Sequence, residues 1–369
     1  MKLSILQENL NRGLTACSRF VASKPQLPIL ANILLKTDKG RLKLSATNLE
    51  TGINLWLGAK IEEEGETTVF AKTITEVVAS LPAEKIDLAL VNTNLSVLQA
   101  NSRAVFPTIA PADFPKVPSL GQKADFSLPL AAFSVAVSQV IFASAADEGR
   151  PVLTGVLFKG EKEGLSLVAT DGYRLSVKKI SAIDYQREPL IIPARALGEI
   201  CRIGQEKKEG QVLEVSLSKE ENQLVFGLPD LELSCRLIEG EFPDYEKIIP
   251  GEATSKLIFD REEFLRAVKT ASIFARESAN IVRLKTGNSK LKISANAPQI
   301  GENESEIGIK QEGEEQEIAF NFRFLLDLLN SLTSEEISLE MTGPLNPGVF
   351  RQVGDDSLLH LIMPVRVQA

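Results

Sequence analysis

Apolar residues along this chain follow two periodicities that take turns. At helical spacing stand Leu6, Leu10, Leu14 and Cys17, then Ile74, Val77, Val78 and Leu81. Leu130, Phe133 and Val137 follow, with Leu197, Ile200 and Cys201 after them; then come Phe264, Val268 and Ala271, and finally Leu325, Leu328, Leu329 and Leu332. Such sets predict amphipathic helices, each with one apolar stripe. Between them apolar and polar residues alternate, as in VLEVSLSKEENQLVFGLPDLELSCRLI at 212–238, which predicts strands joined by tight turns.

These segments recur in a fixed order. LPILANILLK at 27–36 and GRLKLSATNLETGI at 40–53 reappear as RPVLTGVLFK at 150–159 and GLSLVATDGYRLSV at 164–177. A third copy is ANIVRLKTGNSKLKISANAP at 279–298, so that Leu42, Leu44 and Ala46 correspond to Leu165, Leu167 and Ala169 and then to Leu291, Ile293 and Ala295. FAKTITEVVASL at 70–81, IPARALGEICRI at 192–203 and FNFRFLLDLLNSL at 320–332 open alike, and ADFPKVP at 112–118 matches GEFPDYEKIIP at 240–250. A repeat decides the fold reading. Three homologous units follow, over 1–121, 122–252 and 253–369, each an α+β domain of two helices and about eight strands.

Composition narrows the function. Of 369 residues 44% are hydrophobic and 24% charged, with 41 Lys and Arg against 49 Asp and Glu, a net charge of −8. That balance excludes disorder, collagen and coiled coil. MKLSILQENL turns polar too early for a signal peptide, and no apolar run suits a membrane span, so a cytoplasmic protein without a membrane partner is expected. Cys17, Cys201 and Cys235 are too far apart for a metal motif and read as buried thiols. His360 is the only His, in a leucine-rich strand, and reads as a packed side chain. No nucleotide-binding or nucleophile-elbow motif is present. No catalytic residue, metal or cofactor is therefore assigned.

Charge is segregated. Seven Glu against one Lys in 302–317, and Glu62, Glu63, Glu64 and Glu66, are expected between strands. Arg12, Arg19, Lys24, Arg195, Arg202, Lys207, Lys208, Arg261, Arg266, Lys269 and Arg276 accompany the helices. A basic helical layer beneath an acidic surface would attract nucleic acid on one face only. Size permits enclosure: a unit with a radius of gyration near ~14 Å is about 35 Å across, and six in a ring leave an opening of roughly 32 Å. Three leave essentially none. Two chains are the smallest closed assembly that could surround a duplex.

LPILANILLK with LSATNLE, EGRPVLTGVLF with ATDGYRLS, EGEFPDYEKIIP and the terminal MPVRV resemble the bacterial sliding clamps, the beta subunits of DNA polymerase III, over the whole chain. The resemblance implies a head-to-tail homodimeric ring of six DNA-clamp domains, with helices lining the pore and sheets outside. It implies a processivity factor that encircles double-stranded DNA without reading sequence, and tethers the catalytic subunit of the replicative polymerase. By the same resemblance Lys24, Lys72, Arg150 and Arg195 face DNA. Leu153, Thr170, Gly172, Tyr173, Arg174, Leu175, Pro243, Ile248, Leu361, Met363, Pro364, Val365 and Arg366 match a cleft that takes linear peptides from polymerases, clamp loader and repair proteins. Phe106, Ile273 and Phe274 match the dimer joint, where an edge strand with an exposed Phe would need covering. The chain departs from many relatives in carrying Pro151 and Val152 after Arg150, Tyr173 where His is common, and Gln368 and Ala369 at its end.

Two rival readings come from the residues. Asp171, Arg174 and Glu239 could make a polar enzymatic site, although no acid, base and nucleophile set recurs with the repeat. A scaffold protein would share the repeat but would not be retained on DNA.

Overall fold

The computed structural model describes residues 1–369 except 23–24, 122, 148, 163, 182, 184, 186, 205–209, 219–221 and 367–369. The described residues contain six α-helices: α1 (Gln7–Cys17), α2 (Ala71–Ser80), α3 (Leu130–Ser138), α4 (Ala194–Gly204), α5 (Arg261–Ala275) and α6 (Phe322–Ser331). Each begins directly at the end of a strand. Two have side-chain caps, Asp260 accepting from the Glu263 amide and Asn321 from that of Arg323, which satisfies donors a helix start leaves open. In α1 the buried stripe is Leu10, Leu14 and Cys17; Leu6 instead caps the helix and is exposed, because the strand Lys2–Leu6 ends there. Among the described helices none is long and apolar enough to cross a membrane.

The chain forms two compact units, 1–131 with 199–237, and 132–198 with 238–369. The first is built on one antiparallel sheet of thirteen strands. From Lys60–Glu63 the order runs through Lys2–Leu6, Lys85–Val91, Asn94–Gln99 and Ser102–Ile109 to Glu66–Phe70. It continues through Asn32–Asp38, Arg41–Thr47 and Thr51–Gly58 to Leu231–Arg236, Gln223–Leu228, Val212–Ser218 and Phe126–Pro129. Helix α1 lies close on this sheet because Gly13 has no side chain: a Cβ there would stand 2.7 Å from Leu57 and 2.9 Å from Leu44.

The second unit holds a nine-stranded and a four-stranded sheet. The larger runs Leu190–Pro193, Gly155–Glu161, Gly164–Thr170, Arg174–Ser181, Asp355–Ile362, Gly348–Gln352, Glu336–Met341, Ser255–Asp260 and Lys310–Gly313. The smaller runs Gly301–Gly308, Lys290–Ala297, Ile281–Gly287 and Glu317–Asn321. Its main core gathers Phe264 and Val268 of α5 and Leu325, Leu328 and Leu329 of α6, with the Phe259 and Phe264 rings edge to face at 4.8 Å.

Most of the acidic residues are on strands, a correction to the expectation that they lie between strands, which holds only for Glu64, Glu314 and Glu315. Glu62 and Glu63 are on Lys60–Glu63, and Glu302, Glu304 and Glu306 are on Gly301–Gly308. Lys290 and Lys292 on the neighbouring strand meet Glu306 and Glu304 at 2.7 and 2.6 Å. Both strands are sheet edges, where solvated charge deters unwanted pairing.

Two strand pairings join successive repeats in corresponding register. Thr51 lies opposite Cys235 where the first repeat meets the second, and Arg174 lies opposite Ile362 where the second meets the third. Beyond each pair one more bond closes the ladder: Arg236 donates to the Glu50 carbonyl at 2.9 Å, and Met363 to that of Tyr173 at 2.8 Å.

Candidate functional site

The Tyr173–Met363 bond sits at the heart of the sequence-predicted cleft. Tyr173, Ile248 and Met363 are exposed large apolar side chains. Leu175 and Leu361, opposite one another in the ladder, are fully buried and share a core with Leu157, Val168, Val177, Tyr245 and Val349. Leu153 and Thr170 are also buried, Pro243 and Arg366 are exposed, and Pro364 and Val365 are half-buried. Val365 is tied by its amide to the Ala319 carbonyl at 2.8 Å. Gly172 occupies the turn with φ +90°, which a side chain would strain, and Asp171 accepts from the Tyr173 and Arg174 amides at 2.9 and 3.0 Å.

Arg174 is a brace, buried at 9% exposure. Its guanidinium donates to Asp171 at 3.0 Å, to Asp327 of α6 at 2.6 Å and to the Phe142 carbonyl. It also lies 4.5 Å from the Phe324 ring centroid and 5.4 Å from that of Phe142. One planar donor fork thus fixes the 171–173 turn to two other parts of its unit. His360 lies fully buried, its Nδ1 2.5 Å from Ser176 Oγ and its ring 5.2 Å from that of Phe142. Burial, with the Arg174 charge adding, holds its pKa down to about 3. The imidazole is neutral at ordinary pH.

Of the predicted DNA-facing cations, Lys72 belongs to the first unit and Arg150 and Arg195 to the second. Lys24 lies outside the described residues, as do Lys207 and Lys208. Arg150 is exposed, but its Nη1 comes within 3.1 Å of where a Cβ on Gly172 would stand, so it borders the cleft turn. Lys72 and Arg195 are exposed at the second position of α2 and α4. Lys72 also lines a cavity of about 740 Å³ with Phe70, Pro28, Pro107 and Ile109. The same position of α6 holds exposed Arg323, which the sequence reading missed although FNFRF aligns with FAKT and IPARA. Of the other helical cations, Arg19 and Arg202 both reach Glu199, at 3.3 and 2.8 Å, and Arg261 donates to the Ser334 and Leu329 carbonyls.

The residues predicted for the joint divide. Ile273 is exposed, and Phe274 is half-buried against the core of its unit. Phe106 is buried at 6% exposure, a correction to the expected exposed Phe: its side chain faces the sheet interior, while Val105 and Ile109 face out. Ser102–Ile109 pairs with Asn94–Gln99 along its length but with Glu66–Phe70 only at Thr108 and Ile109. Gly301–Gly308 pairs on one side only. Among the described residues the other outer strands have only four or five residues, against eight in each of these.

Models of the N-terminal, central and C-terminal domains of the DNA polymerase III beta subunit match residues 1–118, 127–244 and 246–366. The beta sliding clamps of Synechocystis sp. and Proteus mirabilis are each 31% identical to this chain, with all of both chains covered. The chain belongs to the DNA polymerase III beta subunit family. Among solved structures, the Bacillus subtilis DNA polymerase sliding clamp superposes with a TM-score of 0.92 and the Thermotoga maritima beta subunit with 0.91, each 26% identical and fully covered. This beta subunit family member therefore has the three-domain sliding clamp fold of mixed helices and antiparallel sheets.

Proposed function

We propose that this chain is a non-catalytic processivity clamp of the cytoplasm, with clamp domains over 1–121, 122–252 and 253–369. Two copies close head to tail around double-stranded DNA and tether the replicative DNA polymerase. The observation that carries this reading is the corresponding register of the two repeat-to-repeat pairings, together with one long strand of each type whose edge is left open over most or all of its length. Carried over by repeat equivalence, that register sets Gly301 of one copy opposite Phe106 of the other, and Glu304 opposite Arg103. Opposite charges then face across the ladder, which favours this partner over slipped pairings.

The cations at the helix starts support DNA as the enclosed ligand. A positive side chain in the first turn is unfavourable by about 0.3–1 kcal/mol, yet Lys72, Arg195 and Arg323 repeat it. A phosphate reverses that sign, since helix N-terminus and cation both attract it. Such contacts read no bases, so the protein slides while closure keeps it on the track. The surface around Tyr173, Ile248 and Met363, floored by Leu153, Leu175 and Leu361, takes linear peptides of the polymerase, clamp loader and repair proteins. An adaptable Met beside an aromatic residue suits several such peptides. The rival enzymatic reading is disfavoured because Arg174 already donates to two carboxylates and a carbonyl.

The test is retention. Protein loaded by its clamp loader on nicked circular DNA should persist in high salt and leave when the circle is cut. A protein that merely grips the duplex would depart at the same rate from circle and linear DNA.

A further inference from the structure

Backbone polarity decides what the free strand Ser102–Ile109 can offer. The Thr108 amide donates to the Thr93 carbonyl at 3.0 Å, toward the neighbouring strand Asn94–Gln99. Backbone groups alternate along a strand, so those of Arg103, Val105 and residue 107 point to the open edge. Ile109 fits the same alternation, since its carbonyl faces the other way from that neighbour and accepts from Thr68 Oγ1 at 2.8 Å. Residue 107 is Pro, exposed and without an N–H.

Position 107 has two counterparts in the chain. Aligning the hairpins that end in Cys235, Ile362 and Phe106 places Pro107 with Arg236 and Met363, the residues whose amides close the two internal ladders onto Glu50 and Tyr173. The residue matching Glu50 and Tyr173 on the free strand side is Ile300, just before Gly301, and it is exposed at 53%. Resting on the head-to-tail reading above, we propose that Pro107 leaves the joint between two copies one hydrogen bond short at the Ile300 carbonyl. The joint between chains then opens more readily than either joint within the chain. The missing bond falls at the end corresponding to the Tyr173–Met363 end of the second internal joint, where partner peptides are proposed to dock. A clamp must open to admit a closed DNA circle, and this places the weak end in sequence.

The test is subunit exchange between donor- and acceptor-labelled full-length dimers, read by energy transfer, for the wild type, Pro107→Ser and Val105→Pro. Restoring the amide with Pro107→Ser should slow exchange roughly two- to tenfold, the range for one net hydrogen bond. Removing a second edge donor with Val105→Pro should speed it, with thermal unfolding of the monomer unit little changed. Unchanged or faster exchange in Pro107→Ser, in a chain that does dimerise, overturns this inference and leaves the head-to-tail reading standing. A wild type that sediments as a monomer at tens of micromolar overturns both.

Discussion

Arg174 and Asp327 meet at 2.6 Å, joining the turn beside the proposed peptide cleft to helix α6. The guanidinium is almost wholly buried, whereas the Asp327 side chain keeps 44% of its exposure. Removing Arg174 therefore strands Asp171 and the Phe142 carbonyl more than it strands Asp327. Arg174→Ala is expected to lose about 2–4 kcal/mol in urea unfolding, and Arg174→Lys to recover less than half, since an ammonium cannot span the three acceptors. A loss below about 0.5 kcal/mol, the scale of an ordinary surface change, would contradict the bracing role.

His360 makes stability depend on acid in a defined window. Its folded pKa of about 3 lies below the unfolded value of 6.5, so below pH 6.5 the unfolded chain takes up a proton that the folded chain refuses. Stability should fall by up to about 1.4 kcal/mol per pH unit as pH drops from about 6 toward 3. Lowered carboxylates such as Asp355 add their own loss only nearer their ordinary range around 3.8. Chemical unfolding between pH 5 and 6.5 should thus isolate His360, and His360→Phe should flatten the slope there. An unchanged slope would place the acid response elsewhere.

Much of the fold was legible from periodicity alone, because each helix carries its apolar stripe on one face: Leu10 and Leu14, Ile74 and Val78, Leu325 and Leu328 are all buried as the spacing requires. Tertiary facts were less legible. Phe106 and Val105 are neighbours in an alternating strand, and the pattern does not say which faces inward until the sheet that covers Phe106 is known. The bracing role of Arg174 is not legible in ATDGYRLS, where it reads as a cleft or polar-site residue, because its partners Asp327 and Phe142 are distant in sequence. Arg323 is legible in the sequence, since its repeat copies Lys72 and Arg195 mark the position.

The three helix-start cations yield a prediction with opposite signs for stability and binding. Replacing Lys72 and Arg323 by Ala should leave thermal stability equal or higher, because each cation opposes its helix dipole, and Arg195→Ala is added to the pair for the binding measurement. Retention on circular DNA should weaken, and the salt dependence should become shallower by about 0.9 in log–log slope for each phosphate that is no longer neutralised. Equal retention with unchanged slope would remove these residues from the DNA face.

Met363 and Tyr173 separate peptide docking from assembly. Met363→Ala or Tyr173→Ala should weaken a polymerase-derived linear peptide by roughly five- to thirtyfold, the effect of about 1–2 kcal/mol at a central apolar contact. Sedimentation should still show the dimer. Unchanged peptide affinity, measured by fluorescence anisotropy, would refute the cleft assignment.

Closure is tested most directly by sealing the joint. Arg103→Cys with Glu304→Cys places two thiols on positions set opposite one another, about 5.5 Å apart between Cα atoms, within disulfide reach. Native Cys17, Cys201 and Cys235 are buried and should not compete. Oxidised after loading on a covalently closed circle, the doubly linked protein should stay with the DNA through detergent denaturation and come free when the circle is cut. Complete cross-linking with protein lost from the intact circle in detergent would show that the chain does not encircle its DNA.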